Sequence, residues 1–105
     1  MKKSEPTMKG LRMKTLNELI QELGNFKYVT KIQNNQYEIV FEKGFIFQSY
    51  QTIMAVKTWN EIYLRKNWQI SNTTSKYLYQ FLNLDRKELL QKIKENKIQY
   101  FKEKK

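Results

Sequence analysis

Lys27-Tyr28-Val29-Thr30-Lys31-Ile32-Gln33-Asn34-Asn35-Gln36-Tyr37-Glu38-Ile39-Val40-Phe41-Glu42 is the stretch that decides the fold. Polar and apolar residues alternate on both sides of Asn34-Asn35. That pair tolerates the positive φ of a tight turn, so the stretch reads as a β-hairpin. A two-residue turn places Ile32 opposite Tyr37, Thr30 opposite Ile39 and Tyr28 opposite Phe41 on one face. The other face then sets Lys31 against Glu38 and Lys27 against Glu42, with Val29 against Val40. Apolar pairs on one side and opposite charges on the other are mutually consistent.

Beyond the hairpin, Lys43-Gly44 is a second turn signal, followed by strand-like runs at residues 45–48, 52–57 and 61–65. Trp59-Asn60 is the expected turn between the last two. Ser49-Tyr50-Gln51 reads either as a bulge in one long strand or as a loop between two. Upstream, Leu16, Leu19, Ile20 and Leu23 form one apolar stripe of a helix, with Thr15 and Glu18 at capping-box spacing and Gly24 as its stop. Downstream, Ser71 to Thr74 offer N-caps for a helix striped by Tyr77, Leu78, Phe81 and Leu82. Asp85 with Glu88 then opens a final helix. Leu89, Leu90 and Ile93 face its core, and the same helix is expected to reach Ile98 and Phe101. The expected class is α+β: an N-terminal helix, an antiparallel meander of four or five strands, and two C-terminal helices, with the helices packed on one face. Residues 1–12 read as a basic tail, 13–101 as a single domain, and 102–105 as a basic frayed end.

Composition narrows the chemistry. A chain of 105 residues holds one domain, and 40% hydrophobic with 14% aromatic residues supports a packed core. The absence of Cys removes disulfides and thiol nucleophiles. The absence of His removes an imidazole base and an ordinary zinc site. The ten acidic residues are scattered, mostly at cap or cross-strand positions, no Walker-type phosphate loop is present, and no Ser-x-x-Lys occurs. A Ser–Lys pair in Thr73-Thr74-Ser75-Lys76 would need a desolvated lysine, and helix capping explains those hydroxyls more simply. No cofactor, metal site or catalytic role is expected. With no long apolar run and no apolar leader in residues 1–14, a cytoplasmic protein without membrane contact is expected.

The charge points to a polyanionic or nucleoprotein partner. Twenty Lys and Arg against ten Asp and Glu leave a net +10, and the excess sits at both chain ends. Residues 57–79 interleave Lys57, Arg65, Lys66 and Lys76 with Trp59, Tyr63, Trp68, Tyr77 and Tyr79. Aromatic rings stack on unpaired bases and cations neutralise phosphates, so this mixture suits RNA or single-stranded DNA. It equally suits a protein interface anchored by Trp, Tyr and Arg. Trp68 and Tyr77 are also open to a core role, whereas Trp59, in a turn, is the expected exposed anchor. Arg86, Lys87 and Lys94 add a wide basic surface on the last helix. No helix-turn-helix or RNA-recognition-motif signature appears, so sequence-specific duplex reading is not expected.

Phe47-Gln48-Ser49-Tyr50-Gln51-Thr52, then Trp68-Gln69-Ile70-Ser71-Asn72-Thr73-Thr74-Ser75-Lys76-Tyr77 and Phe81-Leu82, resembles small proteins of phages and plasmids of low-GC Gram-positive bacteria. Those proteins tend to carry Tyr where Ile70 stands. The likeness covers about a third of the chain. It implies a mobile-element setting, in which small non-enzymatic proteins block host defence or redirect replication. Some resemble anti-CRISPR proteins. The resemblance therefore implies a binding protein that inhibits a host nuclease or other nucleoprotein. An accessory protein binding nucleic acid in phage or plasmid replication or transfer is the other expectation.

Overall fold

The computed structural model describes residues 13–103. The expected basic tail over residues 1–12 lies outside them, as do residues 104–105. The elements run α1 (Leu16–Glu22), β1 (Phe26–Gln33), β2 (Gln36–Phe41), β3 (Gly44–Ser49), β4 (Thr52–Lys57), β5 (Ile62–Leu64), α2 (Asn72–Leu82), α3 (Arg86–Lys94) and β6 (Ile98–Tyr100). The six strands form one sheet in sequence order. The first five make the expected antiparallel meander, and Tyr50-Gln51 is a turn between β3 and β4.

The class is α+β, but the helices cover both faces of the sheet rather than one. Neighbouring strand residues point to opposite faces. Ile46, Val56 and Tyr63 pack with Leu19 and Leu23 of α1, whereas Phe47, Ala55 and Leu64 pack with Leu78, Phe81 and Leu82 of α2 and Leu89 of α3. The physical reason is the composition of β3 and β4. Phe45-Ile46-Phe47 and Ile53-Met54-Ala55-Val56 are continuous apolar runs, which need cover on both sides.

The C-terminus differs from the expected long helix. The last helix stops at Lys94, and Ile98 and Phe101 are not on it. Asn96 takes a left-handed φ of 63°. The Asn96 N–H donates to Ile93 O at 3.0 Å and the Lys97 N–H to Lys92 O at 2.9 Å. This is a Schellman ending, with Asn in the place glycine usually fills. The chain then returns as β6, parallel to β5. Lys102, expected to fray, exchanges backbone bonds with Lys14 and Leu16.

The hairpin register also differs from the expected one. Gln33 faces Gln36 as the turn demands, but a bulge at Ile32 slides residues 28–31 by one, and a second at Lys27 sets Phe26 opposite Phe41. Val29, not Thr30, faces Ile39, and Tyr28 faces Val40. A one-residue slip exchanges faces. Lys31 therefore stands opposite Tyr37 rather than Glu38, and the Glu42 carboxylate accepts the Asn25 N–H at 3.0 Å. Both capping boxes form as read: Thr15 with Glu18 on α1, and Asp85 with Glu88 on α3.

Candidate functional site

α2 divides into two stripes. Thr74, Leu78, Phe81 and Leu82 are buried against the sheet. Asn72, Ser75, Lys76, Tyr79 and Gln80 follow the i, i+3, i+4, i+7, i+8 spacing of the opposite, polar face. That polar stripe, the loop Gln69-Ile70-Ser71 and Arg86 at the start of α3 line an open cavity of about 700 Å³. Among the described residues, no acidic one lines it. Its floor is fixed from below. Trp68, only 2% exposed, meets the Tyr79 ring edge-on at 6.3 Å. The groove can therefore offer two cations, amides, hydroxyls and one held aromatic ring to an anionic, planar ligand.

The groove is pinned to the sheet by hydroxyls. Ser71 caps α2 by accepting the Thr74 N–H at 3.1 Å and donates through its own hydroxyl to Thr74 Oγ1 at 3.1 Å. Thr74 Oγ1 in turn lies 2.9 Å from Ser49 Oγ. Ser49 and Thr74 are both buried. The stretches around Ser49 and around Ser71 to Thr74 thus meet in one hydrogen-bonded chain.

Of the residues singled out for binding, the structure brings Lys76, Tyr79 and Arg86 together and sets the others apart. Trp68 and Tyr63 are core residues, 2% and 3% exposed, so their expected role as contacts is corrected. Lys57 turns inward. Its Nζ donates to Phe81 O at 2.9 Å and lies 4.6 Å from the Phe81 ring centre, closing the C-terminal end of α2. Burial lowers its ammonium below the usual lysine value, with the Glu38 carboxylate opposing that shift. Arg65 is half-buried and paired with Glu103. Trp59 is 91% exposed, as expected of an anchor, but it sits in the β4–β5 turn beyond Lys57, at the other end of α2 from the Ser71 cap. Lys66, Lys87 and Lys94 are exposed and do not line the groove. Gln69, Ser71, Ser75 and Gln80 are members of the groove that composition did not flag. The helical spacing of Asn72, Ser75, Lys76, Tyr79 and Gln80 was the available signal.

Tyr63 gives the core a pH signature. Its hydroxyl donates to Glu61 Oε1 at 2.7 Å, and burial, reinforced by that bond, pushes its ionisation well above the ordinary 10.0. The unfolded chain loses this proton first, so the contribution of Tyr63 to stability is intact below about pH 10 and falls as pH rises beyond it. Lys57 works in the opposite sense: its folded value is depressed, so raising pH toward 10.5 relieves a penalty. The expected result is a wild-type melting temperature that falls more steeply between pH 10 and 12 than that of Tyr63→Phe. Parallel pH profiles of the two proteins would contradict this assignment.

Among the described residues, no group of His, Cys, Asp and Glu is placed to hold a metal. Among them, too, no helix is long and apolar enough to cross a membrane. No curated protein and no solved structure matches the chain. Residues 12–99 match the model of DUF8033, a family of unknown function, and the chain belongs to that family.

Proposed function

We propose that the protein is a small, non-catalytic binding module of mobile-element origin that inhibits a host nucleoprotein in the bacterial cytoplasm, such as an RNA-guided CRISPR nuclease. One observation carries the reading: Lys76 and Arg86 share an open groove that, among the described residues, no acidic side chain lines, on a chain of net charge +10. Such a groove attracts guide-RNA phosphates or an acidic nuclease surface. The sign of the charge is wrong for a mimic of DNA. The sequence resemblance to phage and plasmid proteins supports the setting.

The test is an affinity purification from a low-GC Gram-positive host lysate, with and without nuclease treatment, using wild type and Lys76→Ala with Arg86→Ala. Both side chains are exposed, so each substitution should change stability by no more than about 0.5 kcal/mol. The proposal expects a ribonucleoprotein partner that wild type retains after treatment and inhibits stoichiometrically, and that the double variant releases. Equal retention by both proteins would remove the groove from the contact.

A second reading, a nucleic-acid-binding accessory protein, is favoured by Tyr79 beside the two cations. It expects nucleic acid alone in the purification, lost on nuclease treatment. Affinity for single strands should then fall linearly on a log–log salt plot, and removing two phosphate contacts should flatten the slope by about 1.4.

A further inference from the structure

We infer a second site, separate from the Lys76–Arg86 groove: a neutral pocket on the α1 face of the sheet that takes one unpaired nucleobase. It lies beyond the cover of the seven-residue α1, between the β1–β2 and β3–β4 turns. The cavity is about 660 Å³ and is lined by Val29, Tyr37, Ile39, Gln48, Tyr50 and Gln51, with Asn35 and Thr52 at its ends. Among the described residues, no charged one lines it. Val29 and Ile39 form an apolar floor. Tyr37 and Tyr50 supply aromatic faces. Asn35, Gln48 and Gln51 supply carboxamides, each both donor and acceptor, as the edge of a base requires.

Three observations select a base on a phosphate chain over other planar or polar ligands. Lys31 is the cross-strand neighbour of Tyr37, so a cation stands at the rim of a neutral pocket. Phosphate outside and base inside match that order. Next, Tyr50 holds a left-handed φ of 57° and is 60% exposed. That region is costly for a bulky side chain and ordinarily goes to Gly or Asn. The turn is locked there by the Tyr50 N–H donating to Asn35 O at 2.6 Å and by Gln48 Nε2 donating to Tyr50 O at 2.9 Å. A strained position that presents an aromatic ring to solvent is not explained by folding; strain of this kind gathers at binding sites. Finally, Ser49 joins this turn to Thr74, whose neighbours Ser71 and Ser75 line the basic groove. The two concavities therefore flank a single turn.

The test compares decathymidylate, decauridylate and a ten-unit abasic strand of equal charge, by fluorescence anisotropy at fixed salt, on wild type, Tyr50→Phe and Tyr50→Asn. Wild type should bind at least one of the base-bearing strands about tenfold more tightly than the abasic strand. The tighter of the two identifies DNA or RNA as the source. Tyr50→Phe should keep that preference. Tyr50→Asn should lose it while leaving affinity for the abasic strand unchanged, and its melting temperature should equal or exceed that of wild type, because Asn suits the left-handed turn. Equal binding of base-bearing and abasic strands by wild type, no binding of either base-bearing strand, or an undiminished preference in Tyr50→Asn would overturn the proposal. Lys76→Ala with Arg86→Ala separates the two sites: it lowers affinity for all strands alike, and a preference for bases that survives in it supports the pocket whatever the fate of the groove.

Discussion

Trp68→Ala should destabilise the protein by about 3–5 kcal/mol, the usual cost of emptying a buried tryptophan site. Trp68 is 2% exposed and belongs to the cluster of Leu64, Leu78, Leu82 and Ile98 that joins α2 to the sheet. It lies in the loop after β5, where no regular hydrogen bonding holds the chain. Its removal opens a cavity and also frees the segment that carries Ser71 into its cap. For a domain of this size the melting temperature should drop on the order of 12–20 °C. The urea midpoint should fall with an unchanged slope, as expected when stability alone changes. Tyr79 would lose the ring that positions it, so binding in the groove should weaken in the fraction that remains folded. Trp59→Ala is the matched control. At 91% exposure it should shift stability by no more than about 0.5 kcal/mol. A stable Trp68→Ala that has lost only binding would restore Trp68 as a contact residue.

The two tryptophans show where reading the chain stops. Trp59 falls in a turn between two periodic runs, and its exposure follows from that placement. Trp68 falls in an aperiodic loop, where neither the period of two nor that of 3.6 assigns a face. The helix starts were legible because capping is local: Thr15 with Glu18 and Asp85 with Glu88 need only three residues of context. The end of α3 was equally local, but its left-handed residue is Asn96 rather than Gly, and the short β6 has no partner nearby in sequence. Its pairing with β5 closes a crossover of two helices, which periodicity does not report. The hairpin was legible as a hairpin. Its register was not, because bulges at Ile32 and Lys27 leave the alternation of letters intact while moving the side chains of residues 28–31 to the other face. For the same reason the pocket beside Tyr37 and Lys31 was invisible: both residues were assigned, but to different faces. In the groove, Lys76, Tyr79 and Arg86 are legible from residue type alone. Their neighbours on the polar stripe needed the helical period applied to hydrophilic residues, a test usually reserved for apolar ones.

Gly44→Ala should cost about 3 kcal/mol or more, because its methyl group has nowhere to go. Gly44 opens β3, is buried, and does not use a positive φ, so space rather than backbone freedom selects glycine. An added Cβ would run into the Lys57 carbonyl on β4 and the Leu23 side chain after α1. A leucine methyl can rotate away, but the Lys57 carbonyl belongs to a paired backbone. Relief therefore means parting β3 from β4 at the Phe45–Lys57 pair. That movement carries Lys57 with it, and with Lys57 goes the bond that closes α2 at Phe81. One methyl group thus strains the contact between α1 and the sheet and the end of α2 together. Gly24→Ala provides the comparison. Gly24 has a φ of +81°, and its added Cβ would meet Glu42 Oε1 at 2.8 Å, the end of a flexible side chain that can swing aside by giving up its bond from the Asn25 N–H. Its cost is therefore mainly conformational, about 1–2 kcal/mol. Urea denaturation of the two variants should rank Gly44→Ala as clearly the less stable. The reverse order would mean that β3 and β4 can separate at Gly44 without loss, and that Lys57 does not tie the two faces of the sheet together.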